Sequence, residues 1–101
     1  MITTLAYPAR DEIDLVDVLQ ALADPMRLQL VRVLDEANGA IACGEIPLPV
    51  TKSTASHHFK VLREAGLVFA EEEGTRRYYT VRRADIDARF PGLLDAVLRG
   101  V

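Results

Sequence analysis

The chain has one cysteine, Cys43, in 101 residues. A single thiol cannot close a disulfide within the chain, which excludes disulfide-stapled folds and suits a reducing compartment. No stretch approaches the roughly 18 consecutive apolar residues of a membrane-spanning helix. The first residues lack a basic region followed by an apolar core, so no secretory leader is expected. The expected location is the cytoplasm, with no membrane partner. Low-complexity runs are missing too. Half the residues are apolar and 27% are charged, a balance that can bury a core and argues against disorder except at the ends. At this length the reading is one domain over residues 1–101, with enough surface left over that self-association would help.

An excess of positive charge is also lacking, since the formal net charge is −3. Its distribution matters more than its sum. Residues 1–24 carry −4, residues 25–50 carry −1, residues 51–66 carry +2, residues 67–83 carry +1 and residues 84–101 carry −1. The positive part is contiguous. A molecule with acidic ends and one basic face can still bind DNA, with modest non-specific affinity.

The basic part centres on Thr51 to Gly66. At a helical period Ala55, Phe59, Leu62 and Ala65 form one stripe, while Ser53, Thr54, Ser56, His57, Lys60 and Arg63 fall off it. Thr51 predicts an N-cap, because its hydroxyl can accept an orphan N–H of the first turn, and Gly66 predicts the stop. The result is a bounded helix with an apolar face and a face of hydrogen-bond donors near its N-terminus. That is the end a recognition helix presents to base edges and phosphates. A solvated surface face is the bland alternative, and the flanking segments decide between the two.

Met1 to Arg10 shows no period and contains Pro8, so a frayed lead-in is expected. A helix opening at Asp11 or Glu12 carries Ile13, Val16 and Leu19, with Leu15, Val18 and Leu22, on more than one stripe. Such a helix needs two partners, the core and a second subunit. Asp24-Pro25 predicts a cap and first helical position, and the helix runs to about Glu36 with Met26, Leu30, Val31 and Leu34 inward. Asn38-Gly39 ends it. Ala40 to Ala42 reads as a short strand. Over Cys43 to Val50, Pro47 and Pro49 leave room for one helical turn at most. Beyond Gly66 the period becomes two: Leu67 to Glu71 and Thr75 to Val81 form a β-hairpin turning at Gly74. A helical turn over Ala84 to Phe90 and a last helix from Pro91, with Leu93, Leu94, Val97 and Leu98 apolar, complete the chain. The fold class is mostly α with a β-hairpin: about five helices and a two-stranded wing.

That order is the order of a winged helix-turn-helix. Three segments carry a closer likeness: Ala21 to Leu34 (ALADPMRLQLVRVL), Ser53 to Val68 (STASHHFKVLREAGLV) and Glu73 to Tyr79 (EGTRRYY). The chain resembles the ArsR/SmtB family of dimeric winged-helix repressors over roughly residues 19–83. The resemblance implies a homodimer through the first and last helices, with each recognition helix in a major groove of double-stranded DNA and each wing near the backbone. The sequence departs from the metal-sensing members, which carry a Cys-x-Cys type motif or Asp and His ligands on the last helix. Cys43 stands alone, and Asp85, Asp87 and Asp95 have no histidine beside them. These residues do not supply a tetrahedral ligand set, so no metal and no cofactor is expected. Cys43 reads as a small buried residue rather than a redox sensor, having no second thiol to resolve a sulfenic acid.

His57 and His58 point about 100° apart on a helix, so only one can face a groove. His57 is the outward one and His58 the structural one. Neither the pair nor Ser56 sits in a nucleophile, base and orienter arrangement, so an enzyme is not expected. Tyr79 reads as core rather than as a base-stacking platform. The candidate DNA contacts are Ser53, Thr54, Ser56 and His57 for bases, Lys52 and Lys60 for phosphates, and Thr75, Arg76 and Arg77 on the wing. Glu71, Glu72 and Glu73 must avoid the polyanion, and are expected to point away or to pair with Arg82 or Arg83. The candidate dimer residues are Ile13, Leu15, Val16, Leu19, Leu94, Val97 and Leu98. The expected function is a dimeric, sequence-specific transcriptional repressor on an imperfect palindrome. The rival reading is a winged-helix module for protein association, with its basic face idle.

Overall fold

A computed structural model describes residues 1–46 and 49–101. Pro47 and Leu48, part of the irregular link expected over Cys43 to Val50, lie outside the described residues. Five helices are present among them: α1 (Leu15–Leu22), α2 (Pro25–Ala37), α3 (Lys52–Ala65), α4 (Arg83–Arg89) and α5 (Leu93–Arg99). The strands are β1 (Ile2–Thr4), β2 (Ile41–Ala42), β3 (Val68–Glu73) and β4 (Arg76–Val81). Together they make a winged helix-turn-helix.

The local signals in the sequence act where they stand. The Asp24 carboxylate accepts from the Arg27 amide at 3.0 Å, with Pro25 opening α2. Asn38 closes α2 in the left-handed region at φ 51°. Thr51 Oγ1 accepts from the Thr54 amide at 3.3 Å, and Gly66 ends α3 at φ 91°. Gly74 turns the hairpin, and β3 pairs antiparallel with β4 so that Val68 faces Val81, Ala70 faces Tyr79 and Glu72 faces Arg77.

The sheet is larger than the expected two-stranded wing. Its order is β1-β3-β4-β2, all neighbours antiparallel. The expected frayed lead-in is instead an edge strand, with Ile2, Thr3 and Thr4 opposite Glu73, Glu72 and Glu71. Leu5 continues the ladder by donating to the Ala70 carbonyl at 2.8 Å. The first helix also starts later than expected. A 3-10 turn at Arg10–Glu12 gives way to extended backbone at Ile13, and the Asp14 carboxylate caps α1 by accepting from the Asp17 amide at 3.2 Å.

That late start redirects Ile13. It leaves the α1 surface, where a dimer contact was expected, and is buried to 1% exposure in the core. Leu94, also expected in the interface, is buried at 0% because α5 lays it inward. Neither has surface left for a second subunit. The core joins Leu30 and Leu34 of α2, Phe59 and Leu62 of α3, Leu67 and Val68, and Ile86 of α4. Phe59 stacks on Tyr79 with centroids 3.8 Å apart and planes 9° apart, seating α3 on the hairpin. Such a pair adds about 0.5–1.5 kcal/mol beyond its buried area. Tyr79 is core, as its strand position implied.

Candidate nucleic-acid interface

Burial of Ala55, Phe59, Leu62 and Ala65 fixes how α3 is rotated. Lys52, Ser53, Thr54, Ser56, His57 and Lys60 are therefore all exposed, and all but Lys60 lie in the N-terminal half of the helix. Two of the hydroxyls are engaged locally: Thr51 Oγ1 lies 3.0 Å from Thr54 Oγ1 and 3.2 Å from Ser53 Oγ. Ser56 and His57 carry no such tie to the cap. Lys60 has only an exposed partner, Glu64 at 3.9 Å one turn on, a pair worth little in water.

His58 packs inward from the same helix. Its Nδ1 lies 3.2 Å from Arg27 Nη1 and 3.9 Å from the Asp24 carboxylate. Arg27 in turn donates to the Ala21 carbonyl at 2.6 Å. This cluster joins α3 to the α1–α2 corner, the structural role that its place on the helix implied. The Arg27 amide, which donates to Asp24, holds that carboxyl below its usual value, against burial and with help from the Arg27 and His58 charges.

Arg63 does not belong to the open face. Its Nη1 donates to the Ala6 carbonyl at 2.6 Å, so it holds the N-terminal segment rather than facing solvent beside Lys60.

On the wing, Gly74, Thr75 and Arg76 form the exposed tip. Strand alternation puts Arg76 and Arg77 on opposite faces. Arg77 is ion-paired with Glu72 directly across the hairpin, and that carboxylate raises the arginine's affinity for its proton. This replaces the expectation that the glutamates pair with Arg82 or Arg83. Arg82 is occupied by Asp85 at 2.9 Å, and Arg83 by Asp35 at 2.8 Å and Asp95 at 2.9 Å. Arg76 forms no ion pair among the described residues.

Between α3 and the wing lies a cleft of about 700 Å³, lined by Lys52, Ser56, Glu72, Arg76, Arg77 and Tyr79 among others. Burial pushes the Tyr79 hydroxyl up in pKa, and the Arg77 charge partly opposes it. Cys43 also lines this cleft and is half-buried rather than buried as expected, since the 3-10 turn at Cys43–Glu45 sets it at the rim. Among the described residues no three His, Cys, Asp or Glu side chains are grouped to hold a metal ion. No helix among the described residues is long and apolar enough to cross a membrane.

The sequence placed Arg63 on the polar side of α3, Arg82 as a partner for the glutamates and residues 2–8 in a frayed lead-in, whereas Arg63 and Arg82 hold the N-terminal segment and residues 2–4 form a strand. One signal was present: Ile2-Thr-Thr-Leu5 is rich in β-branched side chains, the composition of a strand.

A helix-turn-helix domain model matches residues 22–68, the span from the end of α1 into β3. The uncharacterized HTH-type transcriptional regulator YceK of Bacillus subtilis is 34% identical over 82 residues, covering 79% of this chain and 82% of that protein. The arsenical resistance operon repressor of the same organism is 30% identical over 81 residues, covering 79% and 77%. A crystal structure of a possible transcriptional regulator for arsenical resistance superposes with a TM-score of 0.62 at 31% identity, covering 84% of this chain and 96% of that one. With a likeness of this extent on top of the exposed polar face of α3 and its wing, the chain belongs to the ArsR-type helix-turn-helix transcriptional regulators.

Proposed function

We propose that this protein is a homodimeric, sequence-specific DNA-binding repressor that works in the cytoplasm by binding and not by catalysis. One observation carries the reading. The N-terminal half of α3 stands clear of the core with Lys52, Ser53, Thr54, Ser56 and His57 exposed, and the wing tip with Thr75 and Arg76 stands across the cleft from it. In this reading Ser56 and His57 read base edges, with Ser53 and Thr54 beside them, while Lys52, Lys60, Thr75 and Arg76 meet phosphates and Arg77 contributes once released from Glu72.

The dimer reading rests on α1, where Leu15, Val16 and Leu19 are 42%, 57% and 44% exposed. Three large apolar side chains in one and a half turns are more than a lone surface helix leaves uncovered by chance. Val97 and Leu98 of α5 are half-buried and extend the set. An isologous two-fold pairing would set two α3 helices about 34–36 Å apart on an imperfect palindrome. Two of the relatives are named for arsenical resistance. The proposal does not extend to that response, because a thiophilic ion takes several thiolates and this chain has one.

A salt titration tests the reading. The probe is a duplex selected by the protein from a random pool, and log K should fall by about 0.9 per neutralised phosphate for each unit of log salt. A protein-association module would use the apolar side chains of α1 and show no such slope. Sedimentation at micromolar concentration should give twice the chain mass, and Val16→Asp should halve it. A monomeric wild-type chain would overturn the dimer.

A further inference from the structure

We propose that residues 2–8 are a strap that positions the wing for DNA: β1 makes the wing three-stranded, and Arg63 and Arg82 tie the following residues down, so that Arg76 is held at a fixed place relative to α3. The proposal rests on the DNA-binding reading above, and it assigns the N-terminal segment a part in that function.

The strap touches both elements whose spacing matters. On the wing side, Leu5 donates to Ala70 at 2.8 Å, and antiparallel alternation makes Thr3 and Glu72 the next hydrogen-bonded pair. β2 reaches only Tyr78 and Tyr79 of β4, so the hairpin beyond them would be a two-stranded ribbon, marginal by itself, and β1 stiffens that outer part toward the turn at Gly74. On the helix side, Arg63 of α3 donates to the Ala6 carbonyl at 2.6 Å. Pro8 then passes over the end of the recognition helix, where the missing side chain of Gly66 makes room for it and for Ile13.

Arg82 closes the arrangement. Only 3% exposed, it donates to the Pro8 carbonyl at 2.8 Å and to Asp85 at 2.9 Å, and its guanidinium lies 4.4 Å from the Phe69 ring centroid. A buried arginine persists only when its charge and donors are met this fully. Tyr7 covers Phe69 edge-on with centroids 4.9 Å apart. The chemistry of the strap fits a place beside nucleic acid: none of residues 2–8 carries a charged side chain. They cover the edge of β3, where Glu71, Glu72 and Glu73 follow one another, without adding to the negative charge that would oppose phosphates.

Thr3→Pro removes the donor of the Thr3–Glu72 pair, and Tyr7→Ala removes an exposed ring without opening the core. The readouts are hydrogen exchange of β3, β4 and the tip, and affinity for a selected duplex of roughly 30 base pairs, long enough for two half-sites. Both variants should exchange faster at Thr75 and Arg76. Both should bind about tenfold more weakly, the worth of one charge-assisted phosphate contact, with a shallower salt slope and the same preferred bases. The loss should vanish when Arg76 is already Ala, since both changes then act on one interaction.

Wild-type affinity and slope in variants whose strap exchanges freely would overturn the proposal. So would losses from Thr3→Pro and Arg76→Ala that add in full. If Thr3→Pro fails to fold, Tyr7→Ala carries the same comparison. A wild-type chain that selects no duplex overturns the DNA reading instead. The strap's hold on the wing is then judged by exchange alone, and unchanged exchange at the tip overturns it.

Discussion

Glu72 and Arg77 face each other across β3 and β4 and form an ion pair on the side of the wing that looks into the cleft. The two wing arginines are therefore unequal. Arg77 is neutralised within the protein, while Arg76 is exposed at the tip. Arg76→Ala is expected to weaken binding about tenfold and to reduce the salt slope by about 0.9, one phosphate's share. Arg77→Ala leaves the Glu72 carboxylate without its partner and should weaken binding only a few-fold, less than Arg76→Ala, because the Arg77 charge is already met within the protein. Glu72→Gln frees Arg77 and should tighten binding a few-fold with a steeper slope. Anisotropy titrations at several salt concentrations measure all three, and equal losses from the two arginines would contradict this division.

On α3 the expected split is between reading and holding. His57→Ala should change which base pairs are preferred, at a cost of about 1–3 kcal/mol, the discrimination that a well-placed side chain gives at a base edge. Lys60→Ala should weaken every sequence alike and flatten the salt slope. Selection from a random duplex pool by each variant shows the difference, and a uniform loss in both would mean that His57 reads no base.

Gly66 combines two constraints. It ends α3 at φ 91°, and a Cβ there would lie 2.6 Å from Ile13 Cγ1 and 3.3 Å from Pro8 Cγ. Gly66→Ala is expected to destabilise the fold by roughly 2 kcal/mol or more, from the left-handed backbone and the overpacking together. Urea denaturation checks this. A loss below about 0.5 kcal/mol would mean that the segment from Pro8 to Ile13 moves aside freely.

Acid should unfold the protein through two carboxylates. Asp24 is held below its usual value chiefly by the Arg27 amide. Burial would raise Asp85, but hydrogen bonds from Arg10 and Arg82 outweigh it and bring it down. A lowered folded pKa stabilises fully above the unfolded value of roughly 3.9, and that stability is lost as pH falls through the lower folded value. Melting temperature should thus show no change with pH from these groups between neutral pH and about pH 5, where their contribution is full, then drop below about pH 4. Asp24→Ala should lose about 1 kcal/mol of capping at neutral pH and make the acid drop shallower. An unchanged acid profile in that variant would remove Asp24 from the explanation.

What was legible in the sequence was what neighbouring residues decide. The Asp24 and Thr51 caps, the Gly66 stop and the stripe through Phe59 act within one or two turns, so the helix-turn-helix and the exposed face of α3 follow from them. Residues that depend on distant partners were not legible. Ile2 to Thr4 become a strand only because β3 offers an edge, and Arg63 sits on the polar side of the helical wheel yet is claimed by Ala6. Ile13 was misplaced because one 3-10 turn before it shifts the start of α1. The Glu72–Arg77 pair needed the hairpin register, which alternation alone does not fix.

The pairing of β1 with β3 also bears on the order in which the chain acquires its shape. Ile2 waits for Glu73 and Leu5 for Ala70, so at ordinary rates of synthesis the segment has no partner for several seconds after it is made. By then the contacts among α1, α2 and α3, which are much closer along the chain, can already have formed. β1 is three residues long and paired along one edge only. Spanning the longest stretch of chain of any pair in the sheet, it closes late in folding and, in the finished molecule, is among the first pieces to open in local unfolding.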